Sequence, residues 1–156
     1  MFEQTAPQRS CSNSALLGSG NGQFQIPHHL DVDISGNIYV GDTLNHWMQK
    51  FDPSGNFLLK FGSLGSGNGQ FNSPFGIILD SSDNVYVADK INNRVQKFDS
   101  TANFLLTFGS VGSGDEQFKF PSGPLGVAMD NSGNIYVADS GNNRVQKFDA
   151  SGNFLL

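Results

Sequence analysis

The chain has little of what usually marks chemistry in a sequence. Its 156 residues include one cysteine, Cys11, so neither an intrachain disulfide nor a cysteine-based zinc site is available. Lys and Arg total nine and are scattered, and the formal net charge is −5. Nucleic acid is therefore disfavoured as a partner, because phosphate binding needs clustered basic residues. No apolar run approaches the length of a membrane-spanning helix. The opening "MFEQTAPQRSCSNSALL" lacks the apolar core of a secretory signal, which leaves the localisation open. Sustained 3.6-residue apolar spacing is also missing, which argues against helical repeats. What is abundant is Gly, with 19 residues, and Phe, with 14. High aromatic content with modest net charge points to a folded core rather than a disordered chain.

The phenylalanines are periodic. Phe24, Phe71 and Phe118 each close a "GQF" or "EQF" and lie 47 residues apart. Phe51, Phe98 and Phe148 each sit in "QKFD", at intervals of 47 and then 50 residues; "KFPSGPLG" (119–126) replaces the shorter "NSPFG" (72–76). A period of this size signals a solenoid, a propeller or an array. One unit reads "PFGIILD" (74–80), "VYVAD" (85–89), "RVQKFD" (94–99) and "FLLTFG" (104–109), separated by short Asn/Asp/Ser/Gly clusters. These are four strands joined by hairpin turns. The "SGN" at 35–37, 54–56, 132–134 and 151–153 supplies glycine where a turn needs positive φ; Ala102 stands at one such position. The glycine-rich links 62–74 and 109–121 are long enough to return from the outer strand to the next inner strand, as between propeller blades. The inner runs "GIILD" and "GVAMD" are apolar at successive positions, as expected of strands covered on both faces.

"GNIYVADSGNNRVQKFD" (133–149) and "DNVYVADKINNRVQKFD" (83–99), preceded by "GQF…P…G…D", resemble the NHL repeat over nearly the whole chain from about Leu16. The resemblance implies an all-β fold: three four-stranded blades, half of a six-bladed propeller. Blade 1 is expected at about 24–62, blade 2 at 71–109 and blade 3 at 118–156, after a tail at 1–15. Proteins similar in this repeat include RNA- or protein-binding TRIM-type domains, bacterial sensor domains and the peptide-amidating lyase. Fold resemblance does not by itself assign one of these activities. The motif residues read as structural: Asp89 with Arg94, and Asp139 with Arg144, are placed as cross-strand charge pairs.

Three apparent sites dissolve or narrow on inspection. "GSGNG" (65–69) lacks the Gly-Lys-Ser/Thr and the helix of a phosphate loop. Asp31–Asp42 mimics a calcium loop but lies on strand–turn–strand, where that loop needs flanking helices. Repeat 1 departs from its siblings in a cluster: His29 replaces Gly76 and Gly126, Asp31 replaces Ile78 and Ala128, His46 replaces Asn93 and Asn143, and Trp47 replaces the arginine. With hairpins turning about Ser35–Gly36 and about Leu44, His29 is expected opposite Asp42, and Asp42 opposite His46. Two histidines and a carboxylate suit a divalent transition metal or zinc. A lyase- or hydrolase-type metal enzyme with its site in blade 1 is the alternative that follows. All three histidines lie in repeat 1, however, whereas the amidating lyase resembles an enzyme whose metal is held from several blades.

The remaining expectation is a non-catalytic module that binds a protein or ligand, with His28, Asp31 and Trp47 the first places to look. An RNA-binding NHL domain is the other alternative; Lys50, Lys97 and Lys147 recur, but beside Asp residues. Three blades of sixfold geometry leave two end faces open, and the third unit stops at "GNFLL" before the "TFG" that ends its sibling. Head-to-tail self-association, or membership of a longer propeller, would close the ring.

Overall fold

In a computed structural model describing residues 17–156, three antiparallel sheets follow one another along the chain. The first contains β1 (Pro27–Val32), β2 (Ile38–Asp42), β3 (Trp47–Phe51) and β4 (Phe57–Phe61), paired in chain order. The second contains β5 (Pro74–Leu79), β6 (Val85–Asp89), β7 (Arg94–Phe98) and β8 (Phe104–Phe108). The link between the second and third sheets carries a short parallel pair, β9 (Ser110–Val111) with β10 (Gln117–Phe118). The third sheet follows as β11 (Pro124–Met129), β12 (Ile135–Asp139) and β13 (Arg144–Phe148), and residues 154–156 take the outer position through a Phe148–Phe154 bridge and bonds to Lys147. The expected tail, 1–15, and with it Cys11, lies outside the described residues. The only described helix is a 3₁₀ turn, Ser140–Asn142, and no described helix is long and apolar enough to cross a membrane.

The hairpins form because each "D-x-x-x-N" closes on itself. Asp33 accepts the backbone N–H of Ser35 at 3.0 Å and of Asn37 at 2.8 Å, and the Asn37 amide at 2.8 Å. Asp52, Asp80, Asp99, Asp130 and Asp149 repeat this arrangement with Asn56, Asn84, Asn103, Asn134 and Asn153. The side chain stands in for a main-chain acceptor, which is why Asp and Asn dominate such turns. The fourth residue has positive φ: +83° at Gly36, but also +59° at Asp83 and +70° at Ala102. Among these Asp–Asn turns, only those of blade 2 place non-glycine residues there, and these are strained.

The core lies between blades rather than within them. One cluster joins Tyr39 and Met48 of blade 1 to Phe71, Ile77, Val85, Val87 and Phe98 of blade 2, with Phe61 packed beside them. The next joins Tyr86, Ala88, Val95 and Phe108 of blade 2 to Phe118, Val127, Ile135, Val137 and Phe148 of blade 3. Phe61 lies 5.1 Å from Phe98, and Phe108 lies 4.7 Å from Phe148, between ring centroids. Blades 1 and 2 thus each offer a Tyr and a terminal Phe forward, and blades 2 and 3 receive them on Val and Phe. The alternating strand faces make this possible.

Candidate functional site in blade 1

The motif side chains of blades 2 and 3 form a clamp on the preceding link. Asp89, fully buried, accepts from the Asn72 N–H at 2.7 Å, Asn92 Nδ2 at 2.8 Å, Arg94 Nε at 2.8 Å and Gln96 Nε2 at 3.1 Å. Burial pushes its carboxyl up in spite of these bonds. Arg94 also donates to the carbonyls of Ser66, Gly67 and Gln70, at 2.8–2.9 Å. Asp139, Asn142, Arg144 and Gln146 rebuild the clamp in blade 3, where Arg144 reaches the carbonyls of Gly114 and Gln117. Both Asp–Arg pairs sit directly opposite in the sheet register. The Asn and Gln members were readable in the sequence from their constant spacing, but a reading centred on charge passes over them.

Blade 1 keeps the clamp without its guanidinium. Asp42, fully buried, accepts from the Gln25 N–H at 2.7 Å, Asn45 Nδ2 at 2.8 Å, Trp47 Nε1 at 3.0 Å and Gln49 Nε2 at 3.3 Å. The indole supplies the donor that Arg94 and Arg144 supply elsewhere. A cation remains nearby, over the indole: Lys60 Nζ lies 4.1 Å from the Trp47 ring centre.

The expected convergence of His29, Asp42 and His46 does not occur. The first hairpin holds one register from Val32 opposite Ile38 to His29 opposite Gly41, one residue off the expected pairing, and a bulge beyond His29 then brings Pro27 opposite Asp42. Asp42 faces Trp47, and His46 stays in the turn with φ +59°. The two imidazoles and Asp31 instead address blade 2. His29 Nδ1 accepts the Ile77 N–H at 2.9 Å, Asp31 Oδ2 accepts the Leu79 N–H at 2.8 Å, and His46 Nδ1 accepts the Ser73 N–H at 3.0 Å. Thr43 Oγ1 completes the row by donating to the Pro74 carbonyl at 2.7 Å. The inner edge of β5, which no strand pairs, is thereby satisfied by side chains. His28 stacks on Phe75 with ring centres 4.1 Å apart. Among the described residues no group of three or more His, Cys, Asp or Glu is placed to hold a metal ion.

The seam between blades 2 and 3 works differently. Gly76 stands where blade 1 has His29, and a Cβ there would lie 2.3 Å from the Leu125 carbonyl oxygen. The backbones approach where blade 1 interposes side chains. Asn93, at the place of His46, has a buried Oδ1 without a partner among the described residues. The three-residue insertion in blade 3 accompanies that loss. Lys50, Lys97 and Lys147 lie over Tyr39, Tyr86 and Tyr136, 4.6–5.1 Å from the ring centres, and 3.5–3.6 Å from Asp33, Asp80 and Asp130. Each is thus drawn into a turn.

Four-stranded sheets joined through inner-to-outer links make this a β-propeller segment. Residues 71–98 and 122–148 match the NHL repeat, so blades 2 and 3 each carry one. No curated protein matches it. Among solved structures it is similar to streptogramin B lyase, with TM-score 0.61 and 15% identity over 83% of this chain and 39% of that one. Virginiamycin B lyase from Staphylococcus aureus gives 0.62 and 17% over 83% and 40%. A protein of unknown function from Bacteroides caccae gives 0.60 and 13% over 83% and 48%. The chain therefore spans between two fifths and one half of these proteins, and at such identity the likeness is one of fold.

Proposed function

We propose that the chain is a non-catalytic interaction scaffold: an NHL-type propeller module whose ring is completed by further blades, through self-association or within a longer propeller. The supporting observation is how the polar side chains are used. The three motif Asp residues, the two Arg, the recurrent Asn and Gln, and both His29 and His46 are each engaged in holding a link or a neighbouring blade. Rigid blades so fastened offer their faces and loops to a partner, which is where propellers carry recognition.

The competing reading is a lyase-type activity that depends on metal bound in blade 1. One of the similar structures holds an inactive virginiamycin B lyase with quinupristin, which gives a probe. The chain, incubated with quinupristin in the presence of Mg²⁺, Mn²⁺ or Zn²⁺ and followed by chromatography, is expected to leave it unchanged. Metal-dependent conversion that disappears in His29→Ala or His46→Ala would overturn the scaffold reading.

A further inference from the structure

The two seams differ again where the turns after β1, β5 and β11 lie side by side. In the first seam the turns are tied together: Asp83 Oδ1 of blade 2 accepts the Ile34 N–H of blade 1 at 3.3 Å. That seam is closed over Tyr39, which is 1% exposed and whose hydroxyl meets no partner among the described residues. In the second seam Gly133 stands at the place of Asp83, Ser81 at that of Ile34 and Tyr86 at that of Tyr39. Gly133 sends no side chain across, and a Cβ added to it would meet nothing within 4 Å. A cleft of about 460 Å³ stands there instead, lined by Asp80, Ser81 and Tyr86 of blade 2 and by Met129, Asp130 and Gly133 of blade 3. Its walls are two joined blades, so it does not depend on any free blade face.

Two donors at this cleft are poorly used. The Ser81 N–H, counterpart of the Ile34 N–H, meets no acceptor among the described residues. Tyr86 is at 0% exposure, yet its hydroxyl touches only Asp80 Oδ2 and the Ala150 carbonyl, both at 3.4 Å. An O–H···O bond of ordinary strength spans about 2.5–3.0 Å. The geometry points to a binding site for an aspartyl or glutamyl side chain of a partner protein, its carboxylate seated where the first seam seats Asp83. The first seam is the precedent, since the equivalent place there holds an aspartate carried on a peptide turn. Charge does not oppose the arrangement. Asp80 and Asp130 lie 3.5–3.6 Å from Lys97 and Lys147. The first seam admits Asp83 beside Asp33 and Asp80, which are paired in the same way with Lys50 and Lys97. A carboxylate accepting from a main-chain N–H and a buried hydroxyl makes charge-assisted bonds. The site rests on the scaffold reading, because it names what the partner presents. A silent titration strikes the cleft alone and leaves the scaffold reading to the quinupristin result.

The test is a nitrogen–proton correlation NMR titration of the chain at constant ionic strength. Its three ligands are acetyl-Gly-Asp-Gly-amide, the same peptide with Asn for Asp, and sodium acetate. The Ser81 amide resonance is expected to move saturably with the aspartyl peptide, and the Asn peptide and acetate are each expected to bind about tenfold more weakly. Gly133→Asp is expected to shift that resonance without peptide and to abolish the response, because Asp83 already holds the equivalent position at φ +59°. Gly133→Ala strains the same turn without adding a carboxylate and is expected to keep the response. No saturable shift at Ser81 overturns the inference, as does equal binding of the Asn peptide or of acetate. So does a response that persists in Gly133→Asp, or one that Gly133→Ala loses as completely.

Discussion

The seam between blades 1 and 2 and the seam between blades 2 and 3 join equivalent surfaces by different means. In the first, His29, Asp31 and His46 reach across to main-chain N–H groups, and Thr43 reaches a carbonyl. In the second, glycine removes the side chain and the inner strands come together directly. Both bury Phe on Val and Phe. An inner edge can therefore be satisfied by polar side chains or shielded by close backbone approach, and divergence in one repeat need not mark chemistry. The same holds for the clamp: a guanidinium in two blades and an indole in the third hold equivalent carboxylates.

The comparison can be broken at its apolar part first. Phe71→Ala, in the covered first seam, is expected to cost about 3–5 kcal/mol, while Phe24→Ala, its half-exposed counterpart, costs much less; urea unfolding of both checks the difference. Gly76→Ala should follow at about 1–3 kcal/mol, because backbone rather than a movable side chain opposes the methyl. An equal midpoint for Gly76→Ala and the parent would show that the second seam has slack that the geometry does not suggest. His29→Ala leaves the Ile77 N–H unpaired within a residue at 0% exposure, a loss of about 1–2 kcal/mol. Amide exchange at Ile77 should accelerate in that variant while exchange at Val127 does not.

The turns are shared by all blades and sharpen the contrast by not depending on the seams. The side chain and backbone of Asn103, with Thr101, hold Asp99 down at about 2 from 3.8. Asn134 and Asn56 likewise hold Asp130 and Asp52 below the usual carboxylate range. A depressed folded pKa means stability present above the unfolded value and lost as pH falls. Melting temperature should therefore drop from about pH 4 toward pH 2, and Asp99→Asn should flatten part of that slope. The smallest effect is a gain: Ala102→Gly relieves φ +70° and is expected to stabilise by about 1 kcal/mol, seen as a higher urea midpoint.

Much of a blade was legible locally. "VYVAD" is β6, residue for residue, and "FLLTFG" overshoots β8 by its glycine alone, because alternation and the Asp–Asn turns act over a few positions. The relation of His29 to Asp42 was not, since a one-residue difference in where the hairpin turns moves every partner along the strand without changing the pattern. The seam bonds were out of reach for another reason. His29 and Ile77 lie 48 residues apart, and nothing near either names the other.

The period, the four-stranded unit, its turns and the likeness to the NHL repeat were set by the sequence, because each depends on residues close in the chain. Tertiary structure alone decided what repeat 1's His29, Asp31, His46 and Trp47 do. Their partners are main-chain groups of the next blade and a buried carboxylate, and backbone N–H groups look alike in any sequence until the fold sets one beside an acceptor.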